Sequence, residues 1–219
     1  SRVDRATGYP TMRGVTVRAN KIKQMWREGR CVTMGWLSVS HVFTAEVMAR
    51  QGFDTLCVDM QHGTTDMSDL WPMLQAISQT DTVPVVRVPW NDPATIMKAL
   101  DLGAGGAVVP MVNTVEAARV LARAAKYPPL GGRSLGGDAV LHYGADYPEK
   151  ANTDTLLLVQ MEHIEAVNNA EAIMALPGVD GCFVGPVDLA LSMGIDRHTY
   201  EQHPDHRAAV QRIVEATLA

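Results

Sequence analysis

Thr55-Leu56-Cys57-Val58-Asp59-Met60-Gln61-His62-Gly63 begins as an apolar run and ends in an acidic residue, a histidine and a glycine. Apolar runs without polar alternation are typical of strands in a parallel sheet, because both faces of such a sheet are buried. The run Thr55–Asp59 is therefore predicted to be a strand. Similar runs predict five further strands, at Cys31–Val39, Val83–Val88, Ala107–Pro110, Leu156–Met161 and Gly181–Val184.

The segments between these strands have apolar residues at helical spacing. Met67–Gln79, for example, places Leu70, Met73, Leu74 and Ile77 on one face. Because strands and helices alternate six times, the sequence predicts an α/β fold, and within that class a TIM (β/α)8 barrel.

The chain is short for such a barrel. It has 219 residues, whereas a typical barrel needs about 250, so we expect the last βα units to be missing from this chain. The alternative is a doubly wound open sheet, but Gly35-Trp36-Leu37-Ser38 does not supply the glycine-rich loop expected after its first strand. We predict one barrel domain over residues 1–219, with an N-terminal arm at 1–18 and a long functional loop at 127–153.

Composition narrows the class of protein. The net charge of −5 argues against nucleic acid as a partner, since phosphate binding relies on clustered Lys and Arg. No apolar run approaches the roughly 20 residues that span a bilayer, so no membrane partner is expected. Three cysteines lie far apart without CxxC spacing, which favours free thiols in a reducing cytoplasm.

Asp59 ends the second predicted strand and His62 follows it, at the end of the strands where a barrel builds its active site. We expect Asp59 to hold one ring nitrogen of His62, which would fix the tautomer and raise the basicity of the other nitrogen. The alternative is a surface loop in which Asp59 caps a turn.

Arg87 interrupts an otherwise apolar third strand, and its buried charge needs an anionic partner. That partner is either a core carboxylate or an anion in a pocket.

Two carboxylates follow the fifth and sixth strands. Glu162 comes directly after Leu156–Met161, and Asp188 follows Gly181–Val184 by four residues. Since neighbouring strands would bring these acids together, and like charges repel, a cation is expected between them. Hard divalent ions such as Mg2+ prefer such oxygen ligands. The alternative for Asp188 is simple capping of the helix that follows it.

These residues resemble the HpcH/HpaI family of class II, metal-dependent 2-oxo acid aldolases, which is related to citrate lyase β-type barrels. The resemblance covers the chain from about Cys31 to its end, in family order. It rests on six stretches, at Gly52–Gly63, Val85–Pro93, Val109–Thr114, Tyr127–Arg133, Leu158–Glu162 and Val179–Leu189.

The resemblance implies roles for ten residues. Glu162 and Asp188 would ligate the divalent ion, with Mg2+ expected first and Mn2+ or Co2+ as alternatives. His62 and Asp59 would move protons, with Arg87 beside the enolate oxygen. The expected substrate-binding residues are Gln160, Trp36, Gln61, Pro186 and Val187.

Gln61 departs from the family, which usually has Glu before the histidine. This substitution removes a negative charge beside the site, so altered metal or pH dependence is expected. The resemblance also implies a homohexamer built as a trimer of dimers.

The expected reaction is the cleavage or formation of 4-hydroxy-2-oxo acids from pyruvate and an aldehyde, through a pyruvate enolate. Two alternatives stay open. One keeps the same barrel but makes the enzyme a CoA-thioester lyase or a decarboxylating synthase. The other is a non-catalytic barrel that binds a 2-oxo acid.

Overall fold

The computed structural model describes residues 20–137, 143–144 and 146–219. It contains six strands: β1 (Met34–Leu37), β2 (Thr55–Asp59), β3 (Val83–Arg87), β4 (Gly106–Val109), β5 (Leu156–Met161) and β6 (Gly181–Val184). The helices are α1 (Lys21–Arg27), α2 (Val42–Ala49), α3 (Met67–Ile77), α4 (Pro93–Asp101), α5 (Val115–Ala125), α6 (Tyr147–Asp154), α7 (Ile164–Asn168), α8 (Ala170–Met174), α9 (Pro186–Ser192) and α10 (Pro204–Leu218), with a 3-10 turn at Tyr200–Gln202. No helix within these residues is long and apolar enough to cross a membrane.

All six strands are parallel and pair in sequence order, β1-β2-β3-β4-β5-β6. The α/β class is therefore confirmed. The prediction of a closed eight-stranded TIM barrel is wrong for this chain, because the sheet is an open half-barrel. Among the described residues, its two edge strands, β1 and β6, each pair with one neighbour only. A strand order without reversal also excludes the doubly wound alternative within the described residues.

The two faces of the sheet bury different residues, because successive strand side chains point to opposite sides. One face carries Leu56, Val86 and Val159, which pack with the helices in the larger apolar cluster. The opposite, inner face carries Cys57, Val85, Val108 and Leu158, which form a smaller cluster with Ile22 of α1. The last inward-facing side chains, at the carboxyl ends of the strands, form the candidate site.

A ring stack joins the two edge strands across the inner face. Trp36 of β1 and Phe183 of β6 have ring centroids 5.3 Å apart and an interplanar angle of 29°. The Arg87 guanidinium lies over Trp36, 4.8 Å from the ring centroid. The open sheet is therefore bridged by side chains although its edge strands do not pair.

The predicted arm and long loop are only partly described. The arm at 1–18 lies outside the described residues. Within 127–153, the structure differs from an irregular loop because Tyr147–Asp154 forms α6. Buried Arg133 holds this region in place, bonding Asp101 at 2.8 Å and the Tyr147 hydroxyl at 2.9 Å.

Candidate active site

Asp59 and Arg87 form a two-bonded ion pair at the ends of β2 and β3. The two residues are register partners on neighbouring strands, so their side chains leave the inner face side by side. Arg87 Nε donates to Asp59 Oδ1 at 2.9 Å, and Nη2 donates to Oδ2 at 2.6 Å. This core carboxylate is one of the two partners expected for Arg87.

Trp36 adds a third side-chain donor to this pair. Its Nε1 donates to Asp59 Oδ2 at 3.1 Å. Burial alone would raise the pKa of Asp59, but the hydrogen bonds from Arg87, Trp36 and the His62 backbone N–H outweigh burial. The net effect lowers the pKa to about 2. The carboxylate therefore stays ionised and holds Arg87 in a fixed orientation at neutral pH.

His62 meets Asp59 through its backbone and not through its ring. The backbone N–H groups of Gln61 and His62 donate to Asp59 Oδ1 at 3.0 and 3.2 Å. The turn is completed by Gly63, where a Cβ would lie 2.3 Å from the Asp59 carbonyl oxygen. The structure thus differs from the expected ring contact, because Arg87 and Trp36 already occupy the carboxylate. The imidazole of His62 is exposed at the mouth of the half-barrel.

Glu162 is a buried carboxylate, with 2% of its surface exposed. Its Oε1 accepts a hydrogen bond from the Met111 backbone N–H at 2.8 Å, and its Oε2 accepts one from Gln160 Nε2. Both donors are neutral. Within the described residues no Lys, Arg or His forms an ion pair with Glu162. A carboxylate buried in this way is costly unless a positive charge is supplied from elsewhere.

Gly185 leaves room for Glu162. A Cβ at this position would lie 2.7 Å from both Cβ and Oε2 of Glu162, closer than real contacts allow. Asp188 follows in the first turn of α9 and is exposed. It does not cap this helix, since Gly185 occupies the N-cap without a side-chain bond.

The residues around Glu162 fit a divalent cation, although the described part of the chain has no group of three or more His, Cys, Asp or Glu that could hold a metal. Two observations support the fit. Glu162 lacks a cationic partner, and Gln160 Oε1 is buried without a hydrogen-bond partner. Glu162 and Asp188 with further oxygen ligands from substrate or water would suit Mg2+ or Mn2+.

The other predicted substrate-binding residues follow the ends of β2 and β6. Gln61 is partly buried, and its Oε1 has no hydrogen-bond partner. Pro186 and Val187 are exposed at the start of α9. The structure thus brings together Trp36, Asp59 and Arg87 by direct contact, and Gln160 with Glu162.

Three further residues contact those of the candidate site, although no role was predicted for them. Phe183 stacks on Trp36, and the alternation of side chains along β6 was the available signal. Met111 holds Glu162 through its backbone, which no side-chain pattern reports. His206 is buried in α10 with Nε2 2.9 Å from the Pro186 carbonyl oxygen, where a ring N–H donates.

The Asp59 carboxyl should titrate with a pKa of about 2, below its ordinary value of 3.8. A lowered folded-state pKa means that the ion pair contributes its full stability above pH 3.8 and loses it as the pH falls through about 2. Carbon-13 NMR of aspartate-labelled protein measures this value. Arg87→Met should raise it by removing two hydrogen bonds. A wild-type value at or above 3.8 would contradict the described pair.

This chain is similar to known proteins over most of its length. Residues 32–219 match the family model HpcH/HpaI aldolase/citrate lyase. A hydroxypyruvate/pyruvate aldolase from Rhizorhabdus wittichii is 43% identical over 176 residues, covering 80% of this chain and 70% of the relative. A 4-hydroxy-2-oxo-heptane-1,7-dioate aldolase from Escherichia coli is 38% identical over 200 residues, covering 89% of this chain and 75% of the relative.

A solved structure is similar to this chain as well. The HpcH/HpaI aldolase/citrate lyase family protein from Burkholderia cenocepacia J2315 matches with a TM-score of 0.81 and 37% identity, over 90% of this chain and 80% of that one. The predicted enzyme class is confirmed, because the relatives are aldolases and aldolases are carbon–carbon lyases. The chain belongs to the HpcH/HpaI aldolase/citrate lyase family.

Proposed function

We propose that this chain is a divalent-metal-dependent aldolase that joins or cleaves pyruvate-type 2-oxo acids and aldehydes. The observation that carries the proposal is Glu162, a buried carboxylate with only neutral hydrogen-bond donors. The names of the relatives support the substrate class, since both act on 2-oxo acids or their aldol products.

Glu162 and Asp188 would hold the cation. When bound, a divalent ion acts as a Lewis acid that polarises the 2-oxo group of the substrate. Gln160 would assist, because its Nε2 fixes Glu162 and its unpartnered Oε1 is free to accept from a bound substrate or water. Mg2+ is proposed first, with Mn2+ and Co2+ as alternatives.

Arg87 would stabilise the negative oxygen that develops when the substrate loses its proton. Its Nε and Nη2 are committed to Asp59, while Nη1 makes no hydrogen bond to the described residues. An N–H donor held in place before the reaction is worth more than a mobile one, because no reorganisation is needed when the charge appears. Asp59 is thus a positioning residue, and Arg87 is the group that contacts substrate.

His62 would move the proton at the methyl carbon of pyruvate. Its imidazole is exposed at the mouth, and its backbone is fixed to Asp59. Removal of this proton, directly or through a water, leaves an enolate whose methylene carbon attacks the aldehyde carbon. The new oxygen anion then takes up a proton, and the reverse sequence breaks the carbon–carbon bond.

The remaining residues would shape the pocket. Trp36 with Phe183 forms an aromatic wall on the inner face, and Pro186 and Val187 lie at the start of α9. Gln61 keeps a neutral amide beside His62, and its unpartnered Oε1 would accept from a substrate hydroxyl or a water. Assembly into a homohexamer stays a prediction.

The proposal is tested by exchange of the pyruvate methyl protons in D2O, followed by proton NMR, which requires no knowledge of the aldehyde. Wild-type protein with Mg2+ or Mn2+ should catalyse exchange, and EDTA should abolish it. His62→Gln should slow exchange by about 10²- to 10⁴-fold, the usual contribution of a general base. His198→Gln is the matched control, because His198 is exposed and its ring accepts a hydrogen bond from its neighbour Arg197, while its backbone N–H donates to Asp196.

The outcomes separate the rival functions. Exchange at full rate in EDTA would overturn the metal dependence. Pyruvate binding by calorimetry with exchange at background would favour a non-catalytic 2-oxo acid-binding barrel. Exchange without cleavage of any 4-hydroxy-2-oxo acid would favour a CoA-thioester lyase or a decarboxylating synthase.

Gly185→Ala should impair the same exchange without preventing folding. The added methyl group would collide with Glu162, while the backbone at Gly185 has φ −96°, which alanine adopts easily. We expect at least a tenfold loss of exchange rate, in line with disturbed metal ligands. Gly136→Ala is the control, since a Cβ there meets nothing within 4 Å. Equal rates for wild type and Gly185→Ala would contradict the described position of Glu162.

A further inference from the structure

Met111 has a backbone conformation that is unusual for its residue type. It follows β4 with φ +55°, and among the described residues it is the only non-glycine with positive φ. Side chains with a Cβ rarely adopt this left-handed conformation, which costs of the order of 1 kcal/mol or more. Such a residue persists only where neighbouring contacts hold it in place.

Two hydrogen bonds restrain Met111, one at each of its polar backbone groups. Its N–H donates to Glu162 Oε1 at 2.8 Å. Its carbonyl oxygen accepts from Asn91 Nδ2 at 2.9 Å. The loop after β3 is thus connected through one residue of the loop after β4 to the carboxylate at the end of β5.

Asn91 is not needed to start the helix that follows it. The N-cap of α4 is Asp92, which accepts from the Thr95 backbone N–H at 2.8 Å, and Pro93 occupies the first turn. The Asn91 side chain instead reaches across to the neighbouring loop. Removing it should therefore leave α4 intact and release the Met111 carbonyl.

We propose that Asn91 is a positioning residue for the cation-binding carboxylate. By holding the Met111 carbonyl, it keeps Met111 in the left-handed conformation that aims its N–H at Glu162 Oε1. Glu162 is then fixed from both sides, by Met111 at Oε1 and by Gln160 at Oε2. This inference rests on the proposed function, in which Glu162 binds the cation. Groups that orient metal ligands are typically worth 10- to 100-fold in metal affinity.

Asn169 supplies a matched control, because its side chain bonds the same loop after β4 as the side chain of Asn91 does. Its Nδ2 donates to the Asn113 carbonyl oxygen at 2.9 Å, the same type of bond at the same length as that of Asn91. Asn113 lies two residues beyond Met111, and within the described residues Asn169 forms no hydrogen bond to Glu162. Asn169→Ala therefore removes an equivalent loop contact, together with the bond from Nδ2 to the Glu165 carbonyl oxygen at 3.1 Å, and leaves the hydrogen bonds of the Glu162 carboxylate in place.

Two measurements on Asn91→Ala, Asn91→Leu and Asn169→Ala test the inference. Crystal structures of the metal-free variants should show that both Asn91 changes move Met111 and lengthen its bond to Glu162, whereas Asn169→Ala leaves that bond in place. Mn2+ titrations followed by electron paramagnetic resonance should show about a tenfold or larger rise in Kd for the two Asn91 variants. The Kd of Asn169→Ala should stay within about twofold of wild type.

The inference is overturned if the Met111–Glu162 bond stays near 2.8 Å in both Asn91 variants. It is also overturned if Asn169→Ala weakens Mn2+ binding as much as the Asn91 changes do. Failure of wild-type protein to bind Mn2+ would instead sink the proposed function. The crystal structures would still decide whether Asn91 positions Glu162.

Discussion

The burial of the Glu162 carboxylate without a positive partner is the constraint on which the candidate site depends. Ionised carboxylates in protein interiors are costly unless they are paired and hydrogen-bonded. Asp59 meets that requirement through Arg87, with bonds of 2.9 and 2.6 Å. Glu162 meets only half of it, because its donors are a backbone N–H and an amide. A bound cation is the simplest group that would complete it.

The surrounding backbone is arranged to keep this carboxylate where it is. Gly185 has no side chain that would displace Glu162, and Met111 adopts a left-handed conformation beside it. The Asp59–Arg87 pair has a different role, since its charges are already matched. It presents Arg87 in a fixed orientation, with the guanidinium over the Trp36 ring, which itself stacks on Phe183. Glu162, an acid without a cationic partner, and Arg87, a guanidinium in a fixed orientation, lie on the same inner face. This pair of charges suits a small anionic substrate bound together with a cation.

Much of this arrangement could be predicted from the sequence. The bounds of β2, β5 and β6 coincide with their apolar runs, because uninterrupted apolar residues are the strongest signal of a buried parallel strand. Alternation of side chains then explains why Asp59, Arg87 and Gln160 share a face. Barrel closure could not be predicted in this way, since local periodicity counts strands but does not say which edges pair. Periodicity also does not show that the helical segment after β5 divides into α7 and α8 at Asn169, whose side chain bonds another loop.

The partner of Asp59 was also beyond the sequence. His62 is three residues from Asp59 in the sequence, so spacing favoured the histidine as its partner. Arg87 is on another strand, and the register of β2 and β3 places it beside Asp59. The position of Met111 shows the same limit, because its contribution comes from a backbone N–H. Contacts set by register and by backbone direction become visible only once the sheet is assembled.

Equilibrium Mn2+ binding, measured by electron paramagnetic resonance, tests most directly whether Glu162 binds a divalent cation. The account predicts that wild-type protein binds Mn2+ at a single site per chain. Glu162→Gln should lose that site while remaining folded, because a neutral amide removes the buried charge that the cation compensates. Mn2+ that stays free with wild-type protein, or that binds Glu162→Gln as tightly as wild type, would contradict it.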